Sequence, residues 1–272
     1  MKNGGVRARQ IFLVILGTLT LFLILGQAFA CTILYVDGAE GNYFASNEDW
    51  TFTDPALQVT PGENGAYSYI VFGWNSYLPG YPQGGINQYG VCLDWASVSP
   101  QPFQADPARK DLDEDLMYKI LKHCRNVAEV IRMVRRYNCP HLAEEHLLVA
   151  DRNGSCVIEW SPRGYVFLQK KGNYQVITNF CLSNPKIGWY PCARYQKANE
   201  ILGGTPNAGF NFETVKEVLR QTHQEGAYPT VYSYIAATQT LDFFVFRNHD
   251  AAKYQKFNFE QEIKKGPHRI KL

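Results

Sequence analysis

The chain has 272 residues and a formal net charge of only +2, too close to neutral to point to nucleic acid or an anionic surface as a partner. Its length suits one domain with a full core. The 17 tyrosines and 16 phenylalanines favour a strand-rich interior.

Residues 1–30 read as an export leader. Lys2, Arg7 and Arg9 form a positive start, residues 11–26 are apolar apart from Thr18 and Thr20, and Ala28-Phe29-Ala30 is a small-x-small cleavage triplet. Cleavage there yields a mature domain of residues 31–272, secreted or periplasmic, with no stable membrane contact. It removes three basic and no acidic residues, so the charge falls from +2 to −1. Two other fates stay open: an uncleaved membrane anchor, or lipidation at Cys31. Ala28 stands where a lipobox usually carries leucine.

After the leader, residues 31–36 alternate as a strand, Asp37-Gly38 supplies a turn, and residues 43–47 form the returning strand. Residues 53–83 are rich in Pro, Gly, Asn and Tyr and predict short strands between long loops. Residues 90–98 read as a buried strand. Helix begins near Asp113, with Leu116, Ile120, Leu121 and Cys124 on one face, and Asn126 with Glu129 caps a second helix whose stripe is Val127, Ile131 and Val134. Residues 146–160 predict a hairpin through Asn153-Gly154, followed by strands over 165–170 and 174–179. Residues 193–202 and 212–223 are helical, the first stopping at Gly203. Residues 230–237 and 241–246 close the chain as a hairpin. Strands and helices come in groups, which predicts a layered α+β architecture and not alternating βαβ units.

Cleavage after Ala30 would make Cys31 the first residue, with a thiol and a free α-amine on one residue. The unperturbed values, about 8.5 for the thiol and about 7.7–8.0 for the amine, let the amine take the thiol proton near neutral pH. Nucleophile and base then share one residue, the arrangement of an N-terminal nucleophile hydrolase. The other six cysteines, 92, 124, 139, 156, 181 and 192, are even in number, so they are either up to three disulfides or small buried apolar residues.

Several segments, in order, resemble the choloylglycine hydrolase and penicillin V acylase family, and more closely its branch of penicillin-precursor acyl-transferases. They are Cys31-Thr32, Ser46-Asn47-Glu48-Asp49-Trp50, Gly85-Ile86-Asn87-Gln88-Tyr89-Gly90, Val176-Ile177-Thr178-Asn179, and Tyr190-Pro191-Cys192-Ala193-Arg194-Tyr195. The resemblance implies an αββα sandwich of two antiparallel sheets, a Cys31 that attacks a linear amide carbonyl, and no cofactor. It also implies that Asp49 holds the α-amine, that Asn179 donates to the oxyanion, and that a second, backbone donor lies within residues 95–97, assigned to Ser97. Arg194 would bind a substrate carboxylate or brace the site. Asn87 would line the substrate site or order its turn. Ser46 stands where bile-salt and penicillin members carry arginine, and the chain is shorter than theirs after Asn179. Both differences speak against those two substrates.

The expected partner is therefore a small-molecule N-acyl amide, hydrolysed through a thioester at Cys31. The alternatives are acyl transfer to an amine on the same scaffold, or a secreted or lipid-anchored binding protein whose Cys31 is modified. His141-Leu142-Ala143-Glu144-Glu145-His146 is one residue too long for a zinc-protease H-E-x-x-H, so no metal is expected. The Asn153-Gly154-Ser155 glycosylation sequon is explained by the turn it occupies.

Overall fold

The computed structural model describes residues 31–39, 41–206, 209–248, 250 and 252–272. The leader expected over residues 1–30 lies outside them. Among the described residues no helix is long and apolar enough to cross a membrane.

The strands are β1 (Thr32–Gly38), β2 (Gly41–Asp49), β3 (Pro55–Thr60), β4 (Tyr69–Trp74), β5 (Gly84–Asn87), β6 (Cys92–Ser97), β7 (Lys110–Asp111) and β8 (Tyr137–Asn138). They continue with β9 (Glu145–Asp151), β10 (Gly154–Ser161), β11 (Gly164–Gln169), β12 (Tyr174–Ile177), β13 (Thr230–Ala237), β14 (Asp242–Arg247), β15 (Tyr254–Asn258) and β16 (His268–Lys271). The helices are α1 (Leu116–His123), α2 (Val127–Val134), α3 (Ala193–Gly204), α4 (Phe212–Thr222) and α5 (Phe259–Lys264).

Two antiparallel sheets stack face to face. One runs β12-β1-β2-β13-β14-β15, the other β11-β10-β9-β6-β5-β4-β3-β16. Side chains alternate across each strand, so every buried strand serves two cores. Ile33, Tyr35 and Phe44 enter the core between the sheets with Phe72, Tyr232 and Tyr234. Leu34, Val36 and Ala45 face outward to Ala198 and Leu202 of α3 and to Val215, Val218 and Leu219 of α4. On the far side, Leu93, Leu147 and Val149 meet Leu116 and Ile120 of α1 and Val130 and Val134 of α2. The result is the αββα sandwich that the family resemblance implied.

The local signals place the helix starts. Asn126 Oδ1 accepts from Glu129 N at 3.0 Å, and Glu129 Oε2 takes Arg125 N at 2.7 Å, so the cap shields donors at the start of α2. α1 begins later than expected, where the Asp115 carboxylate accepts from Met117 N at 2.8 Å.

Besides the later start of α1, the structure differs from the sequence reading at three places. β1 runs through Gly38, which pairs with Gly41, so Asp37-Gly38 is strand; a Cβ on Gly38 would strike the Phe210 carbonyl. Gly154 pairs with Asp151, which moves the hairpin turn to residues 152–153. The chain does not close on β13 and β14: β15 extends the first sheet, and β16 crosses to pair with β3 of the second. All seven cysteines are free thiols, six of them buried, so the reading as small buried residues holds. Burial pushes the Cys139 thiol up to about 11, and those of Cys124, Cys156 and Cys181 up to about 12.

Asn87 is also corrected as a substrate contact. It is fully buried, its Nδ2 donates to Leu121 O and Cys124 O at 3.0 and 2.7 Å, and its Oδ1 accepts from Tyr89 N and Val91 N at 3.0 and 3.1 Å. All four of its bonding positions are used. Its work is to clamp the β5–β6 turn onto the end of α1.

Candidate active site

Sheet register and the packing of the layers bring five chain segments to one end of the sandwich. β1 lies between β12 and β2, with Thr32 opposite Asn47 and Ile33 opposite both Ser46 and Ile177. Cys31 at the start of β1 therefore meets Glu48 and Asp49 at the end of β2, and Thr178 and Asn179 just past β12. Ser97 arrives on β6 of the facing sheet, and the first turn of α3 carries Arg194.

The Arg194 guanidinium ties these segments together. Its Nη1 donates to Cys31 O at 2.7 Å and to Thr32 Oγ1 at 3.1 Å, while Nη2 donates to Asn179 Oδ1 at 2.9 Å. Asp49 Oδ2 lies 3.6 Å from Nη1. The structure thus places Arg194 in the bracing role, its planar fork fixing two strands at once. Asn179 Nδ2 donates to Ser97 O at 3.0 Å, which points the amide nitrogen toward the facing sheet and leaves its second hydrogen unassigned. The Ser97 carbonyl thus anchors the Asn179 side chain.

Asp49 is buried. Its Oδ1 accepts from the Thr230 hydroxyl across the β2–β13 ladder, and Oδ2 has no hydrogen-bond partner among the described residues. Burial raises its pKa well above the usual carboxylate range, against the pull of Arg194 and Thr230. A buried carboxylate oxygen beside Cys31 without a donor is an acceptor waiting for one.

Cys31 is partly exposed. Burial, then the carboxyls of Glu48, Asp49 and Asp94, raise its thiol well above the ordinary value, while the Asp49 backbone N–H pulls the other way. The carboxyl oxygen recorded against the sulfur belongs to Glu48, whose Oε2 lies 3.9 Å from Sγ. The sequence reading missed Glu48. The signal was a carboxylate at an inward position of β2, aligned with Phe44 and Ser46. Aromatic residues continue outward from here: Trp50 packs on Phe52 at 5.8 Å between ring centroids, Phe52 on Trp74 at 6.3 Å and on Tyr77 at 4.9 Å.

Behind Asn179 stands a second group that the sequence reading missed. His146 of β9 is fully buried, with Nε2 2.5 Å from Thr178 O and Nδ1 3.4 Å from Glu159 Oε1. Glu159 also accepts from Leu182 N at 2.5 Å and from Ser183 N at 3.0 Å. Burial alone would raise the Glu159 pKa, but His146 and Ser183 hold it below the usual value. His146, Glu159 and Cys181 have donor atoms within 4.8 Å of one another, yet the imidazole and backbone N–H groups already occupy the carboxylate. His141 sits apart, in the short 3-10 turn of Pro140–Ala143, so the two histidines of the zinc-like motif do not share a helix face.

Glu159→Ala is expected to cost about 3–5 kcal/mol of stability, because it strands buried partners of a carboxylate. Since the folded-state pKa of Glu159 lies below its unfolded value near ~4.3, its contribution is complete above that value and fades as pH falls through the folded one. Chemical denaturation between pH 3 and 7 tests this: the stability gap between wild type and Glu159→Ala must narrow toward pH 3.

The comparisons with known proteins bear on the fold and the family. No curated protein sequence matches the chain. A variant of conjugated bile acid hydrolase from Clostridium perfringens superposes with a TM-score of 0.67 at 11% identity, over 89% of this chain and 96% of that one. Penicillin V acylase from Agrobacterium tumefaciens superposes with a TM-score of 0.65 at 16% identity, over 89% and 90%. At such identities the likeness is one of fold. The sequence itself matches a family model over residues 36–254, most of its length, and the chain belongs to the acyl-coenzyme A:6-aminopenicillanic acid acyl-transferase family.

Proposed function

We propose that this protein is an exported N-terminal nucleophile hydrolase that cleaves a non-peptide linear N-acyl amide through a thioester at Cys31. The observation that carries this reading is the Arg194 fork, which joins the backbone of Cys31 to the side chain of Asn179 at the start of a central strand. Removal of residues 1–30 frees the α-amine of Cys31. Asp49 Oδ2, buried and without a hydrogen-bond donor among the described residues, is the acceptor that would hold it. The thiol attacks the carbonyl carbon, Asn179 Nδ2 supports the developing oxyanion, and the amine delivers a proton to the leaving nitrogen. The aromatic run from Trp50 to Tyr77 suits an apolar acyl group.

The family match supports a second reading, in which an amine instead of water takes the acyl group from the thioester. Intact mass and N-terminal sequencing of the exported protein test the common part: a chain beginning at an unmodified Cys31 is expected, and an acylated Cys31 would sink both readings. Product analysis on N-acyl amides, with and without an added amine, then separates hydrolysis from transfer.

Asn179→Ala is expected to lower kcat by about two to three orders of magnitude with KM little changed, because the donor acts mainly when charge develops on oxygen. Steady-state kinetics on any amide that the wild type accepts decides this. A change in stability alone would remove Asn179 from the oxyanion site.

A further inference from the structure

The inward face of β2 carries a buried acid that the mechanism above does not use. Glu48 is 1% exposed and Asp94, facing it from β6, is 0% exposed. Glu48 Oε1 accepts from Ser46 Oγ at 2.5 Å and Oε2 lies 3.9 Å from Cys31 Sγ. Asp94 Oδ2 accepts from the Tyr234 hydroxyl. Its Oδ1 has no hydrogen-bond partner among the described residues, and burial, then the neighbouring Glu48 carboxyl, raises Asp94 well above the ordinary carboxylate value. Burial raises both carboxyls, while their proximity lowers Glu48 and raises Asp94, so Asp94 holds its proton in preference to Glu48. The fold makes room for it: a side chain at Gly84 would collide with both the Asp94 carboxylate and the Tyr234 hydroxyl.

We propose that Glu48, paired with Asp94, is a catalytic residue that takes the proton of the Cys31 thiol at the moment of attack. This rests on Cys31 being the nucleophile. The titratable groups around Glu48 are Cys31 from β1, Asp49 from its own strand, Asp94 from β6, and Tyr232 and Tyr234 from β13. Arg194 is taken up by Asp49, Asn179 and the start of β1, so it does not neutralise the acid pair. A freed α-amine at Cys31 would stand beside the carboxylates of Glu48 and Asp49, which favours its ammonium form, and an ammonium cannot accept the thiol proton. Glu48 can, and the transfer creates no net charge in the buried site.

The steps balance. The S–H bond breaks, its proton forms an O–H bond on Glu48 Oε2, and the electron pair stays on sulfur and attacks the carbonyl carbon. The tetrahedral intermediate collapses, the C–N bond breaks, and the leaving nitrogen takes a proton from the α-ammonium. Water attacks the thioester and gives a proton to the resulting amine. The C–S bond breaks, and the released thiolate recovers its proton from Glu48.

The test needs no substrate. The mature protein is treated with iodoacetamide between pH 5.5 and 8.5, and alkylation of the Cys31 peptide is followed by mass spectrometry. The other six thiols are buried. Internal transfer makes the thiolate without losing a proton to solvent, so the wild-type rate should be flat over about two pH units around neutrality. In Glu48→Gln it should rise about tenfold per pH unit, as for an isolated thiol below its pKa, and kcat/KM should fall about 10²–10⁴-fold. A wild-type rate that itself rises tenfold per unit overturns the proposal, as does a Glu48→Gln variant that alkylates faster at pH 7 and keeps its turnover. Asp94→Asn guards against a Glu48→Gln chain that does not fold. An amide donates more weakly than a carboxylic acid and leaves Glu48 more basic, so the flat region should persist with its acid limb moved to higher pH. Loss of the flat region there would overturn the assignment of the proton to Glu48. Turnover by Cys31→Ser would refute the nucleophile reading itself. A dead Cys31→Ser with a sloping wild-type profile would refute Glu48 alone.

Discussion

Cys31→Ser is expected to lower turnover by at least about 10³-fold while the protein stays folded. The serine hydroxyl is a far weaker nucleophile near neutral pH than a thiol that can shed its proton, and loss of a nucleophile removes a unit of the machinery, not one increment of binding. The change in volume is small, and Cys31 is only partly buried. Its backbone carbonyl, which receives Arg194 Nη1 at 2.7 Å, is untouched by the substitution. The measurement pairs initial rates on an N-acyl amide with a thermal unfolding curve. A folded serine variant with near wild-type turnover would exclude the thioester.

The second large effect concerns the residue ahead of Cys31. A form beginning Met-Ala-Cys31, checked by mass to be unprocessed, is expected to lose about 10²–10⁴-fold in kcat/KM against a form beginning at Cys31. An amide nitrogen has neither a basic lone pair nor a proton to give the leaving group. Asp49 Oδ2, which has no hydrogen-bond partner among the described residues, would also lose the ammonium donor proposed for it. Equal activity of the two forms would remove the α-amine from the mechanism. If Glu48 accepts the thiol proton, alkylation of Cys31 should survive the extension even though turnover does not, which separates the two proton carriers on one sample.

Much of the fold was legible from local patterns. Alternation over residues 31–36 and 43–47 marked β1 and β2, and Asn126 with Glu129 marked the start of α2, because these signals act between residues a few positions apart. The last segment was not legible in the same way. β15 is largely exposed, with little apolar alternation, and the four residues of β16 form a strand by pairing with β3, roughly two hundred positions away.

The site divides along the same line. By itself the sequence determined the candidate nucleophile, from the leader triplet that precedes Cys31, and it singled out Asp49, Asn179 and Arg194 through short motifs. It could not tell whether Arg194 meets a substrate or braces the site, nor whether Asn87 touches substrate or holds a turn. Those answers depend on what lies opposite each side chain. Only the tertiary structure decided that Arg194 is taken up by Cys31, Thr32 and Asn179, and that His146 and Glu159 grip the segment carrying Asn179. It alone set Glu48 against Asp94 beneath the thiol. The physical reason is that side-chain direction along a strand repeats every two residues and can be read locally, whereas contact between stacked sheets depends on register and stacking, which no single segment encodes.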